Sequence, residues 1–265
     1  MSFASSCVVT GGARGIGRGI AEQMVARGHA VVVTDVDGPA AERTATEIGA
    51  VRGLALDVRD PAAHAAAAAE ATRHGALTAW FNNAGVGDDG TLSSLSEEAV
   101  RRLVEVNVLG TLWGMRAALD AFGPRGGDIV NTASLSGFGP VPGYSVYAAT
   151  KAAIVSISMS CDVETPRGVR VHALCPDGVQ TAMLDGQDPD GIGAALVHSG
   201  GRILSVDEVA SAAVSLIGTS RVVRSVPGWR GGVVRASALA PSVAARGLGL
   251  FVAQGRRAMK RSASS

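Results

Sequence analysis

The chain has 265 residues, 47% of them hydrophobic and 18% charged, and a net charge of +1. This length buries one large core, the usual size of a single α/β unit, and the near-neutral balance argues against a dedicated nucleic-acid binder. Cys7, Cys161 and Cys175 have no CxxC spacing and the five histidines no metal-ligand spacing, which argues against a disulfide framework and a metal centre.

Short apolar runs alternate with Ala-rich stretches of helical period. Cys7-Val8-Val9, Ala30 to Thr34, Val51 to Leu56, Ala79 to Phe81, Ile129-Val130 and Val169 to Leu174 read as buried strands. Between them, Gly15 to Arg27, Pro39 to Ile48, Pro61 to His74, Glu97 to Phe122 and Val146 to Thr165 read as helices. Alternation at this spacing predicts βαβ units in a doubly wound parallel sheet with helices on both faces. Asp185 to Gly201, rich in Gly and Asp, reads as a mobile loop or lid, and Val222-Val223 or Val233-Val234 as the last strand. A first strand near Ser6 leaves no room for a signal peptide, and no apolar run spans a bilayer, so a reduced, cytoplasmic, soluble protein is expected.

Thr10-Gly11-Gly12-Ala13-Arg14-Gly15-Ile16-Gly17 joins the first strand to the first helix. Glycines there let the backbone approach a pyrophosphate, and the helix N-terminus offers free N–H groups. Asp35 closes the second strand, where a carboxylate accepts hydrogen bonds from the adenosine ribose. It also repels a 2′-phosphate, by about 3 kcal/mol for charges ~5 Å apart at an effective dielectric near 20. Arg14 points the other way, since a base there meets a 2′-phosphate. NAD is therefore favoured over NADP.

The chain has 22 arginines but only two lysines, Lys151 and Lys260, and only two tyrosines, Tyr144 and Tyr147. Where a plain positive charge suffices it has Arg, so Lys151 is expected to be Lys for a chemical reason. On a helix, Tyr147 and Lys151 share one face a turn apart, and a phenol beside a fixed cation is a candidate general acid/base.

The Gly11-x-x-x-Gly15-x-Gly17 spacing, Asn82-Asn83-Ala84-Gly85 after the fourth strand and Tyr147-x-x-x-Lys151 together resemble the short-chain dehydrogenase/reductase family over roughly residues 5 to 182. The resemblance implies a Rossmann-type fold and hydride transfer between a nicotinamide and a secondary alcohol or ketone. It makes Tyr147 the acid/base, Lys151 the group that holds the nicotinamide ribose and lowers the Tyr147 pKa, and Ser134 the hydroxyl on the substrate oxygen. Asn107 would complete a proton relay to Lys151. Gly11, Arg14, Gly15, Ile16, Gly17, Asn83, Ala84 and Gly85 would hold the coenzyme backbone. Asp57 and Val58 would line its adenine pocket, and Pro176, Val179 and Thr181 would meet the nicotinamide. Other readings stay open: Ser136 is a lesser rival to Ser134, Asp57 otherwise reads as a cap for the helix beginning near Pro61, and Asn107 as the cap of a helix distortion. Where the family has Asn-Pro-Gly, this chain has Cys175-Pro176-Asp177, and the local turn is in doubt. Cys175 reads as a small buried filler rather than a nucleophile.

Leu135, Phe138, Val141, Pro142, Tyr144, Met183, Leu184, Ile192 and Leu196 suit an apolar substrate pocket, with His198 and Asp185 candidates for a polar end. No Asp or Glu follows Glu208, while nine basic residues run from Arg221 to Arg261, leaving the body before them at about −8. Residues 1–240 are expected to form the dinucleotide-binding and catalytic unit, and 241–265 a basic amphipathic extension. The extension is expected to dock on the body or a neighbouring subunit, with membrane contact a less favoured option. The family resemblance implies a homo-oligomer, dimer or tetramer, paired through the helices at 97–122 and after Tyr147. A non-catalytic nucleotide-binding regulator on the same fold is the competing function.

Overall fold

In the computed structural model, residues 3–262 are described apart from 186, 187 and 189. Seven strands form one parallel sheet: β1 (Ser5–Thr10), β2 (Ala30–Asp35), β3 (Arg52–Ala55), β4 (Ala76–Asn82), β5 (Gly127–Thr132), β6 (Val169–Pro176) and β7 (Val223–Val226). Their order is β3-β2-β1-β4-β5-β6-β7. The helices between them are α1 (Gly15–Ala26), α2 (Gly38–Ile48), α3 (Pro61–His74), α4 (Glu97–Val104), α5 (Gly110–Ala121) and α6 (Ser145–Glu164). After β6 come α7 (Ala182–Asp185), α8 (Ile192–His198), α9 (Val206–Val214), α10 (Gly228–Ala238) and α11 (Pro241–Ser262).

Val8 and Val32 point to one face of the sheet, under α3 and α5; Val9 and Val33 point to the other, under α1, α2 and α9. Both faces are covered, which is why these strands are continuous apolar runs rather than alternating ones. The order reverses between β1 and β4, so a crevice opens beyond the carboxyl ends of those strands.

Three expectations change. The stretch 97–122 is not one uniform helix: a π-helical turn at Glu105–Leu109 separates α4 from α5 and carries the buried Asn107. Of the two candidates for the last strand, Val233-Val234 lies inside α10, while Val223 opens β7, paired with β6 from Ala173↔Val223 to Pro176↔Val226. The segment 185–201, read as a loop, contains α8, whose Gly193, Ala194 and Ala195 are buried. Small side chains there permit close packing, and Gly193, which reads as part of a loop, serves that packing.

The cover on α8 is α11. A Cβ on Gly255 would sit 1.7 Å from the Ala195 carbonyl oxygen, so the two helices meet backbone to backbone. Leu248, Val252 and Met259 are half-buried, while Arg246, Arg256, Arg257 and Lys260 are exposed. The extension thus docks on its own body. Among the described residues no helix is long and apolar enough to cross a membrane, and no cluster of His, Cys, Asp or Glu is placed to hold a metal. Gly255→Leu should unseat α11: trypsin should cut within 241–262 about tenfold faster than in the parent chain, and an unchanged cleavage rate would show that this contact does not hold the helix.

Candidate active site

At the crevice, Gly11 has φ +61°, and a Cβ on it would lie 2.8 Å from Ala84 Cα. Only glycine serves where backbone meets backbone in the left-handed region. Asn83 Nδ2 donates to the carbonyls of Thr10 (3.2 Å) and Gly11 (3.1 Å). Thr10 Oγ1 accepts from the Asn83 and Ala84 amides at 3.0 and 3.1 Å. Gly17 lies beneath the loop, where a Cβ would come 2.2 Å from Gly11 O. Arg14 is exposed at the N-cap of α1.

Asp35 Oδ2 accepts from the Ala13 amide (3.2 Å) and Oδ1 from the Asp37 amide (3.2 Å), which fixes the carboxylate at the end of β2 beside the glycine loop. The neighbouring Val36 is 73% exposed. Asp57 is gripped by Arg59, whose Nε lies 3.0 Å from both carboxylate oxygens, and this pair holds its carboxyl below the usual range. Asp57 is not the cap of α3; Asp60 is, accepting from the Ala62 amide at 2.9 Å.

Tyr147 and Lys151 stand one turn apart on α6. Ser134, which acts to lower the pKa of the neighbouring Tyr147 phenol, caps the short 3₁₀ turn Leu135–Phe138 after β5. Lys151 is 5% exposed. Its Nζ donates to the Thr132 carbonyl (2.8 Å) and lies 5.6 Å from the Tyr147 ring centroid. Burial dominates both groups: it pushes the Tyr147 phenol up to about 12 and Lys151 down to about 8. The expected lowering of the Tyr147 pKa is therefore absent in the protein alone. The cation faces the ring and a carbonyl, and desolvation outweighs the lowering effect of Ser134. Ser136 donates its amide to Ser134 Oγ at 3.1 Å, and its own buried Oγ has no partner. Asn107 uses its amide to hold the segment after β4: Oδ1 accepts from Val86 N (2.9 Å), and Nδ2 donates to Val86 O (3.0 Å) and Thr150 Oγ1 (3.1 Å).

These groups share one cavity of about 1370 Å³. Of the residues expected to be catalytic or to bind the coenzyme, only Gly17 and Asn107 lie off its wall, each supporting a segment that lines it. Pro176, Val179 and Thr181 form one side, with Val179 bridged to Leu204. Leu135, Val141, Tyr144, Met183, Leu184 and Leu196 line the apolar end as expected; Phe138, Pro142 and Ile192 do not. Phe138 instead lies under the Arg235 guanidinium, 4.5 Å from its ring. His198 bonds back to Ala194 O (2.9 Å), away from the cavity, and the Asp185 side chain lies outside the described residues. Cys175 is fully buried and its thiol is pushed up to about 12, which makes it inert.

Residues 5–191 match the family model described as short chain dehydrogenase. The chain belongs to that family. It is 39% identical over 194 residues to a sorbitol dehydrogenase of Cereibacter sphaeroides, covering 71% of this chain and 74% of that one. A second relative, an inactive 2-(S)-hydroxypropyl-CoM dehydrogenase 2 of Xanthobacter autotrophicus, is 37% identical over 211 residues, 76% of this chain and 92% of its own. A short-chain dehydrogenase/reductase from Burkholderia phymatum, solved in complex with NAD, superposes with a TM-score of 0.80 at 27% identity, covering 92% of this chain and 96% of that one.

Two parts of this short-chain dehydrogenase's site were not anticipated. Trp229, Arg230, Val233 and Val234 of α10 and Leu248 and Phe251 of α11 complete the cavity's far wall. Asp177 is paired with Arg230, Nε to Oδ2 at 2.6 Å. The departure at Asp177 was visible in the sequence; its partner 53 residues on was not.

The Lys151 shift carries a pH signature. Between about pH 8 and 10.5 the unfolded chain holds a proton on this lysine that the folded chain does not. Folding therefore gains stability as pH rises through that window. The unfolding free energy of the parent minus that of Lys151→Met, from urea melts, should increase from pH 8 to 10; a flat difference would show that the lysine is not desolvated.

Proposed function

We propose that this chain is an NAD-dependent dehydrogenase acting on a hydrophobic secondary alcohol or its ketone, with Tyr147 as general acid/base. One observation carries the reading: Tyr147, Ser134 and Lys151 line the same cavity as the glycine loop and Asp35. The residues fit a dinucleotide. Gly11 and Gly17 stand where any Cβ would collide with backbone, and α1 presents its N-terminus to the cavity, the arrangement a pyrophosphate needs. Asp35 would receive the adenosine ribose, Asp57 and Val58 would border the adenine, and Pro176, Val179 and Thr181 would border the nicotinamide. When bound, the nicotinamide takes up or supplies the hydride.

Everything else falls to side chains. In reduction, the protonated Tyr147 donates to the carbonyl oxygen while Ser134 holds that oxygen. A phenol near 12 is ready for this at neutral pH. In oxidation, Tyr147 must be a phenolate to accept the alcohol proton. The positive charges of Lys151 and of the oxidised coenzyme act to stabilise that form. Oxidation should therefore quicken with rising pH and reduction slow.

Val36, where a 2′-phosphate would want a base, supports NAD; Arg14, exposed at the loop, supports the NADPH alternative. Fluorescence titrations with NADH and NADPH decide between them, with NADH expected to bind at least tenfold more tightly. Asp35→Ala should narrow that gap by about tenfold or more, and an unchanged ratio would remove Asp35 from coenzyme choice. Tyr147→Phe should abolish turnover of a panel of secondary alcohols, followed by NADH absorbance, while NADH binding stays within about threefold. Retained turnover would overturn the acid/base assignment, and a regulator without catalysis would bind NADH yet turn over nothing. A soluble cytoplasmic homo-oligomer remains part of the proposal; size-exclusion chromatography with light scattering reads the assembly.

A further inference from the structure

The buried pair of Asp177 and Arg230 joins three elements of the cavity wall. Asp177 directly follows Pro176 at the end of β6, Arg230 sits in the first turn of α10, and the third element is the carboxyl end of α8. Arg230 Nη2 donates to Leu196 O (2.8 Å) and Ser199 Oγ (2.9 Å), while its Nε meets Asp177 at 2.6 Å. The two side chains are 13% and 10% exposed, and Ser199 is 3% exposed. Gly200 packs against the pair: a Cβ on it would fall 2.8 Å from Asp177 Oδ2 and 2.9 Å from Arg230 Nη1, so a side chain there would have to displace one of them.

A buried ion pair adds little net stability over an apolar contact, so its presence calls for a reason of position. The guanidinium fork suits the task, because one planar cation addresses a carboxylate and the last carbonyls of a helix together, which an ammonium cannot do. Gly193, Leu196 and Val197 of α8 line the cavity where the substrate would lie, and a Cβ on Gly193 would overlap the Tyr144 ring. The placement of α8 thus sets the room beside Tyr144 and Tyr147.

We propose that Arg230 is a positioning residue: held by Asp177, it clamps the carboxyl end of α8 against the turn after β6 and so fixes the substrate wall of the cavity. The inference rests on the reading of this cavity as a substrate site.

The test is amide hydrogen exchange on the intact chain bound to NADH, comparing the parent with Arg230→Met, Arg230→Lys and Asp177→Asn. Exchange across 192–199 should accelerate about tenfold or more in the Met and Asn variants and less in the Lys variant, with β1 and β5 unchanged. The double variant should be no faster than Arg230→Met alone, since both changes break one clamp. Unaltered exchange at 192–199, or equal acceleration in β1 and β5, overturns the proposal. With an alcohol turned over by the parent, Arg230→Met should raise KM about tenfold with kcat within about threefold; a fall in kcat at constant KM also overturns it. Should no alcohol be turned over, the redox reading fails while the exchange result still decides the clamp.

Discussion

At the carboxyl ends of β1 and β4, two stretches of backbone touch, and the rest of the site is laid out from that contact. Gly11 lies so close to Ala84 that no side chain fits between them, and Asn83 and Thr10 stitch the two segments together through four hydrogen bonds. The contact closes the floor of the crevice where the strand order reverses. It aims α1 into the cavity from one side and the segment Ala84 to Gly87 from the other. That second segment is then held from above by Asn107, which a π-helical turn delivers to Val86. A regular helix through 97–122 would carry residue 107 at a different angle, so the distortion belongs to the site's construction.

The reaction end is governed by desolvation. Lys151 and Tyr147 are both shifted toward their neutral forms, the lysine down and the phenol up. Neither charge is stabilised by the other in the protein alone, because the ammonium is spent on the Thr132 carbonyl. Both groups therefore favour their neutral forms in this setting.

Much of this is legible in the chain itself. Strand and helix alternation predicts the sheet, because strands buried on both faces must be apolar throughout. The glycine loop, Asn83 to Gly85 and the lone internal lysine are visible because chemistry restricts those positions to one residue type. The boundaries that failed did so for a common reason. Gly and Ala serve both loops and tight helix packing, and composition cannot separate the two. So α8, seated under Gly255 through Gly193 to Ala195, looks like a loop, and the valines of α10 look like a strand. Sequence spacing gives Tyr147 its partner but not its burial, and burial is the larger effect on the phenol.

The far wall was hidden for a deeper reason. Asp177 reads locally as an odd residue in a turn, and Arg230 as one more base in a tail free of acids. Each is costly alone in a buried place, and only the fold brings them to 2.6 Å. The tail's charge excess is thus not uniform in meaning. Arg230 is neutralised inside, Arg235 lies over Phe138, and Arg246, Arg256 and Arg257 face solvent on α11. A count of net charge treats these as one basic extension, whereas packing divides them into an interior tie and an outer surface. The interior tie joins α10 to the end of β6 and to the carboxyl end of α8.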